Sequence, residues 1–199
     1  MKDQWNERYS AEAYVYGEEP NEWLKHQLLG MPPCRILFPA EGEGRNAVFA
    51  AGLGFDVCAF DISEIAREKA VQLAAKHNVN LNYEILDVAE ISGCYSENSF
   101  DAIALIYAHF NTGIRRTYHR ALLRLLKPNG LLLIEAFTKK QLPFTSGGPK
   151  NESLLCEVNE IEIDFAEAEM QHVLEYEVDL NEGLLHQGKA FVLRGVIRK

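Results

Sequence analysis

Cysteine is scarce in this chain, and what there is stands too far apart to act together. Cys34, Cys58, Cys94 and Cys156 form no CxxC or zinc-ribbon spacing, so no disulfide framework and no metal site is expected. Reduced thiols of this kind imply a cytoplasmic protein. Long apolar runs are missing too: none approaches the ~20 residues of a membrane span. The first residues, MKDQWNERYS, lack the apolar core of a signal peptide. Basic charge is in deficit, with 20 Lys and Arg against 29 Asp and Glu and a net charge of −9. That balance argues against nucleic acid, which needs phosphate-neutralising cations, and against an anionic membrane surface. No internal repeat is apparent. The expected partner is a small molecule, and the expected assembly a monomer or homodimer.

What is present is apolar, 47% of the 199 residues, enough for one substantial core. The most informative stretch is RILFPAEGEGRNAVFAAGLGFDVCAFD, Arg35 to Asp61. A continuous apolar run, Cys34 to Phe38, predicts a strand buried on both faces, as in a parallel sheet. A glycine turn follows, then a helix from Arg45 to Leu53 ended by Gly52 and Gly54, then a strand from Asp56 to Phe60 with Asp61 just beyond.

The same alternation continues. Ser63 caps a helix over 64–77, with Ala66, Ala70, Leu73 and Ala74 on one face. Strands are predicted at 81–86, 100–107 and 131–137, and a helix from Asn111 or Thr112 to about Leu126. Its apolar stripe is read as Ile114, Tyr118, Ala121, Leu122, Leu125 and Leu126, with Arg116, Arg120 and Arg124 on a solvated face. Residues 138–151 form a long loop. A short helix is expected within 155–165, then an antiparallel pair over 169–180 and 189–198. Residues 1–30 precede the first strong strand. They carry many aromatics and a short helix, Glu22 to Leu29, capped by Asn21. The fold class is therefore α/β: a doubly wound, mainly parallel seven-stranded sheet with an antiparallel C-terminal hairpin at its edge. The expectation is one domain over 1–199, with 1–30 as a lid or cap on an α/β core over 31–199.

The turn Glu41-Gly42-Glu43-Gly44-Arg45-Asn46-Ala47 contains G-x-G-x-x-A, a weak signal alone and stronger between a buried strand and a helix. Gly42 would permit the tight turn, and Gly44 would let a ligand approach the backbone. Asp61 lies where a carboxylate can accept hydrogen bonds from both hydroxyls of a ribose. Glu41 and Glu43 would repel a pyrophosphate; they suit a cationic sulfonium or ammonium, and S-adenosylmethionine carries both. Asp87, with Val88 beside it, is placed to meet an adenine, although a loop cap is an equally plain role. Tyr9, Tyr14 or Tyr16 would cover the ligand if the N-terminal segment is a lid; the alternative is that its aromatics pack a helix onto the sheet.

The segments ILFPAEGEGRN, VCAFDIS, LDVAEI, SFDAIALIYAHF and LLKPNGLLLIEAF resemble the class I S-adenosylmethionine-dependent methyltransferases. Their flanks are similar to the small bacterial tellurite-resistance and thiopurine-methyltransferase-like branch. The resemblance covers about residues 31–199. It implies a cofactor site made by Glu41, Gly42, Gly44, Asp61, Ile62, Asp87, Val88, Tyr107 and Tyr14. Where the family has an acid at the end of the first strand, this chain has Phe38, and Glu41 is a candidate replacement.

Methyl transfer from a sulfonium mainly needs alignment and exclusion of water. An oxygen or amine acceptor can also need a base. His109 is the first candidate for that base or for a substrate contact; a capping or packed histidine is the alternative. His186 and Arg194 are candidates for an anion-recognising edge. Two other functions stay open on these residues: a nicotinamide-dependent oxidoreductase using the same turn, and a cofactor-binding sensor without turnover.

Overall fold

The computed structural model describes residues 2–199, apart from the side chains of residues 170 and 171. Seven strands form one sheet: β1 (Arg35–Pro39), β2 (Asp56–Asp61), β3 (Asn82–Ile85), β4 (Phe100–Ile106), β5 (Leu126–Phe137), β6 (Glu169–Glu182) and β7 (His186–Arg198). Their order is β3-β2-β1-β4-β5-β7-β6. The first five run parallel, and β7 is antiparallel to both of its neighbours. The order reverses between β1 and β4, and open α/β sheets bind ligands at the carboxyl ends of the strands flanking such a point.

Alternating strand residues face two cores, as the pleat requires. Leu37, Phe60, Ile103, Leu105 and Ile134 pack with Leu122 and Leu125 of α6 (Thr112–Leu125) and Ile161 of α7 (Val158–Asp164). Ile36, Phe38, Ala59, Ala104 and Leu133 pack with α2 (Glu22–Leu29), α3 (Arg45–Gly52) and α4 (Glu64–Lys76). Short polar side chains set the helix starts: Asn21, Ser63 and Asn111 each accept a hydrogen bond from an amide of the first turn. Asn129, at φ 67°, follows Pro128, the arrangement a type II turn asks for; it lies where β5 slips register against β4.

Several expectations shift in detail. Two short helices are additional: α1 (Lys2–Tyr9) and α5 (Ile91–Cys94). The hairpin is longer than expected, its turn confined to 183–185, so Gly188 lies within β7. On α6, Ile114 is exposed while Arg115, His119 and Leu123 are buried. The reason is tertiary: Asp164 of α7 accepts from Arg115 at 2.7 Å and meets His119 Nδ1 at 3.0 Å, which draws two polar side chains inward.

Candidate active site

The glycine turn is clamped from both sides. Asp61 Oδ2 accepts from the Gly42 amide at 3.0 Å and its Oδ1 from the Ser63 amide at 2.9 Å. The Tyr83 hydroxyl, on β3, donates to the Gly42 carbonyl at 2.6 Å. Burial pushes the Asp61 carboxyl above its usual range, against three backbone amides that pull it down. Gly42 has φ 67°, and a Cβ there would stand 2.7 Å from the Tyr9 hydroxyl. Gly44 serves helix packing: a Cβ there would lie 2.5 Å from Ala70 Cβ of α4, so α3 and α4 could not close together.

Glu41 does not simply face outward as a charge. Its Oε1 accepts from the Asn46 and Ala47 amides at 2.9 and 2.8 Å, capping α3. Burial still raises its carboxyl to about 7. Glu43 turns away from the site: it pairs with Lys69 at 2.5 Å and accepts from the Val15 amide at 2.8 Å. Phe38, in the place of the family's acid, is fully buried against α2 and α3.

The N-terminal segment divides into two parts. Helix α2 belongs to the sheet layer through Leu24 and Leu28. Residues 2–17 form a strap across α4 and the hairpin tip. Lys69 donates to the carbonyls of Ala11 and Ala13, both at 2.8 Å. Leu184 donates to Val15 at 2.9 Å, and Gly17 abuts Gly183 so closely that a Cβ on Gly183 would stand 2.2 Å from the Gly17 nitrogen. Tyr14 is displaced from its expected place: its hydroxyl donates to the Lys69 carbonyl, and its ring packs with Val48, Leu73 and Ala74 of α3 and α4. Tyr9 stands over Gly42 instead, because α1 brings Tyr9 and Trp5 onto Ala66 of α4. A cleft of about 130 Å³ opens where the strap meets the hairpin, beside Tyr16, Pro20, Glu182 and Gly183.

Beyond the turn lies a buried polar network. Glu135, fully buried on β5, accepts from the Tyr107 hydroxyl at 2.5 Å, Arg194 at 2.9 Å and Asn21 at 3.3 Å. Glu182 accepts from Arg45 at 2.6 Å and Asn21 at 2.9 Å, and His186 Nδ1 lies 3.6 Å from it. Despite burial, His186 and Arg45 hold the Glu182 carboxyl down at about 2. Arg194 is thus neutralised rather than free for an anion, and His186, whose basicity burial lowers, packs against Tyr16 and Tyr107, both at 4.7 Å. Tyr107 takes φ 53° and stacks on Phe137 at 4.7 Å. His109 stacks on the same Phe137 at 5.7 Å. Asp87 caps a turn, accepting from Ala89 at 2.9 Å, with Ile62 and Val88 half-buried nearby in sequence at the ends of β2 and β3.

Gly42, Asp61, Glu41, Tyr107, His186 and Arg194 therefore gather along the carboxyl ends of the parallel strands and the facing hairpin. Of the three tyrosines offered as a cover, Tyr9 is the one over the turn; the residues the sequence reading passed over are Tyr83, Arg45, Glu135 and Glu182. Glu135 had a signal: it breaks the apolar run LLLIEAF. Glu41 and Asp61, which accept from backbone amides and make no ion pair with a described residue, are the acids left at the turn, and this fits the cationic S-adenosylmethionine.

A seven-stranded sheet of this order, with a glycine turn after β1 and an acid ending β2, is the class I S-adenosylmethionine-dependent methyltransferase fold. Residues 36–130 match the family model of the methyltransferase domain, so this stretch, with the glycine turn and Asp61, is a methyltransferase domain. Among solved structures it is similar over its whole length to a protein of echinomycin biosynthesis associated with conversion of a disulfide bond into a thioacetal group (18% identity, 91% of that chain, TM-score 0.83). It is also similar to TehB from Haemophilus influenzae (19% identity, 100% of this chain and 66% of that one, TM-score 0.71). A third is the N-methyltransferase NodS from Bradyrhizobium japonicum WM9, in complex with S-adenosylhomocysteine (15% identity, 100% and 97%, TM-score 0.71). No curated protein sequence matches the chain.

Proposed function

We propose that this chain methylates a small-molecule acceptor held beneath the strap and the hairpin. The observation that supports this reading is the closure itself: the Val15–Leu184 hydrogen bond and the Gly17–Gly183 contact tie the strap to the hairpin tip, and Tyr9 on the strap stands over Gly42, a covered site that suits a small acceptor. Bound S-adenosylmethionine supplies an electrophilic methyl group on a sulfonium. Asp61 would hold the ribose hydroxyls and, through Gly42, the shape of the turn. Asp87 and Val88 would meet the adenine. Glu41 and the Tyr107–Glu135 pair would face the methionyl end, in the place left by Phe38. Tyr9, on the strap, would cover the cofactor and exclude water. The strap must therefore open for exchange, and residues 2–17 act as a lid.

The test is calorimetric titration with S-adenosylhomocysteine and with NADH, together with radiolabelled methyl transfer to small molecules. Tight binding of the former and methyl incorporation are expected. Binding of NADH alone would overturn the reading in favour of an oxidoreductase. The Asp61→Ala variant should bind S-adenosylhomocysteine about 10- to 100-fold more weakly, the loss of charge-assisted hydrogen bonds worth roughly 1.5–3 kcal/mol.

A further inference from the structure

Two imidazoles at the strand ends have a buried nitrogen without a hydrogen bond: His186 Nδ1, which faces the Glu182 carboxylate at 3.6 Å, and His109 Nε2, which faces no described charge partner. His109 Nδ1 lies 3.1 Å from the Leu154 carbonyl, which can only accept, so Nδ1 carries the proton. The other nitrogen, Nε2, then presents a lone pair. It is buried and makes no hydrogen bond to any described residue. A buried polar atom without a partner costs free energy unless a ligand meets it. The ring is held in place by Phe137, stacked 21° from parallel. Phe137 also stacks on Tyr107 and meets His186 edge-on, so the imidazole belongs to an aromatic cluster. Gly147 and Gly148 of the long loop close on it: a Cβ at either would stand 2.6 Å from His186 or 2.9 Å from Phe137.

The charges around this cluster are already matched. Arg194 faces Glu135, Arg45 faces Glu182 and Lys69 faces Glu43. Arg8 is exposed, stacked on Trp5 and donating to the Tyr16 hydroxyl. An oxyanion would enter a site whose cations are committed to carboxylates and whose histidine offers it a lone pair, which repels it. A neutral N–H, O–H or S–H group would satisfy that lone pair, and aromatic walls suit a flat apolar body.

We propose that His109 Nε2 accepts the proton of the methyl acceptor, and that the acceptor is therefore a neutral protic nucleophile on a flat apolar molecule rather than an inorganic oxyanion. The inference rests on the methyl-transfer reading. As the bond from nucleophile to methyl carbon forms, the methyl–sulfur bond breaks and its electron pair stays on sulfur. The nucleophile's proton passes to Nε2 and from there to water, so charge and atoms balance.

Aniline, imidazole, benzyl mercaptan and sodium selenite, each with labelled S-adenosylmethionine, form the acceptor panel. Methyl incorporation is expected into one or more of the first three and not into selenite. His109→Gln, which keeps a polar atom near Nε2 but cannot take the proton, should lower kcat about 100-fold or more while leaving S-adenosylhomocysteine affinity unchanged. Nitrogen-15 NMR of the unaltered protein with S-adenosylhomocysteine should show His109 as the neutral Nδ1–H tautomer, its Nε2 resonance moving when a methylated panel member is added. Methylation of selenite alone, full activity in His109→Gln, or an Nε2–H tautomer overturns the proposal. Cofactor binding with no methylation of any panel member overturns it together with the small-molecule reading, and failure to bind S-adenosylhomocysteine overturns the methyltransferase reading beneath both.

Discussion

Ala40 holds a methyl group where the backbone is left-handed, at φ 50°, one residue before the clamped turn. For an L-residue this conformation costs about 1–2 kcal/mol, which glycine avoids apart from its extra unfolded-state entropy. Ala40→Gly should therefore stabilise the protein by about 1 kcal/mol, seen as a rise of about 2–4 °C in the unfolding midpoint, with no change in affinity for S-adenosylhomocysteine. Glu135 makes the opposite case. Its carboxylate, pushed up by burial, is the counter-charge to Arg194 and the anchor of the strained Tyr107. Glu135→Gln keeps the shape but leaves a guanidinium unpaired, which should cost about 3–5 kcal/mol. Adding Arg194→Met should recover most of that in urea unfolding. Recovery of stability in the double variant without recovery of acceptor binding would show that Arg194 serves an anionic substrate instead. The place of Asp61 beside the turn was legible because its offset is fixed by strand and helix lengths. Glu135 and Glu182 were not, because their partners lie on elements far away in sequence.

At the scale of elements, the strap and the hairpin decide access. The strap hangs on Lys69, whose ammonium meets Glu43 and the carbonyls of Ala11 and Ala13 beneath the surface. Lys69→Met should free it by removing one partner of a buried pair, at a local cost of about 3 kcal/mol or more. The expected readouts are protease cleavage between residues 9 and 17 and faster S-adenosylhomocysteine release in stopped flow, with β1–β5 still folded. Release at the unaltered rate would mean the cofactor leaves by another route. Helices α2, α4 and α6 could be placed from sequence because Asn21, Ser63 and Asn111 cap them through contacts within one turn. Helix α1 could not: Tyr9 alone is buried among its residues, so no periodicity marks it. The stripe of α6 misled for a related reason, since Arg115 and His119 are buried by Asp164 and not by hydrophobicity.

Across the whole molecule, the sheet order follows from the alternation of strands and helices, while the network that locks its ends depends on pairings that no local pattern records. Glu182 is the knot of that network: Arg45 comes from the start of α3, Asn21 from the start of α2 and His186 from β7. Its carboxyl lies at about 2, below its ordinary value of 4.5. A depressed carboxyl contributes stability that is fully present above the unfolded value and is lost as pH falls through the folded one. Asp164 is also depressed, by His119 and Arg115, and acts in the same direction. His109, lowered by burial to about 4, loses its contribution earlier, between pH 6.5 and 4. Glu41, raised to about 7, has the opposite sign and gains stability as pH falls over 7 to 4.5. These two effects offset each other above pH 4.5. His119 and His186, also lowered by burial, act in the same direction as His109, and Glu135 and Asp61, raised by burial, in the same direction as Glu41; below pH 4.5, with Glu41 protonated in both states, the loss comes from Glu182 and Asp164. Thermal unfolding should thus show a shallow pH dependence from 7 to 4.5 and a steep loss from 4.5 to 2. The part due to Glu182 is of order 3 kcal/mol, given ~1.4 kcal/mol per pKa unit. Glu182→Gln should be less stable at pH 7 and should flatten the steep limb. An acid limb as steep as that of the unaltered protein would show that Glu182 does not hold these elements together.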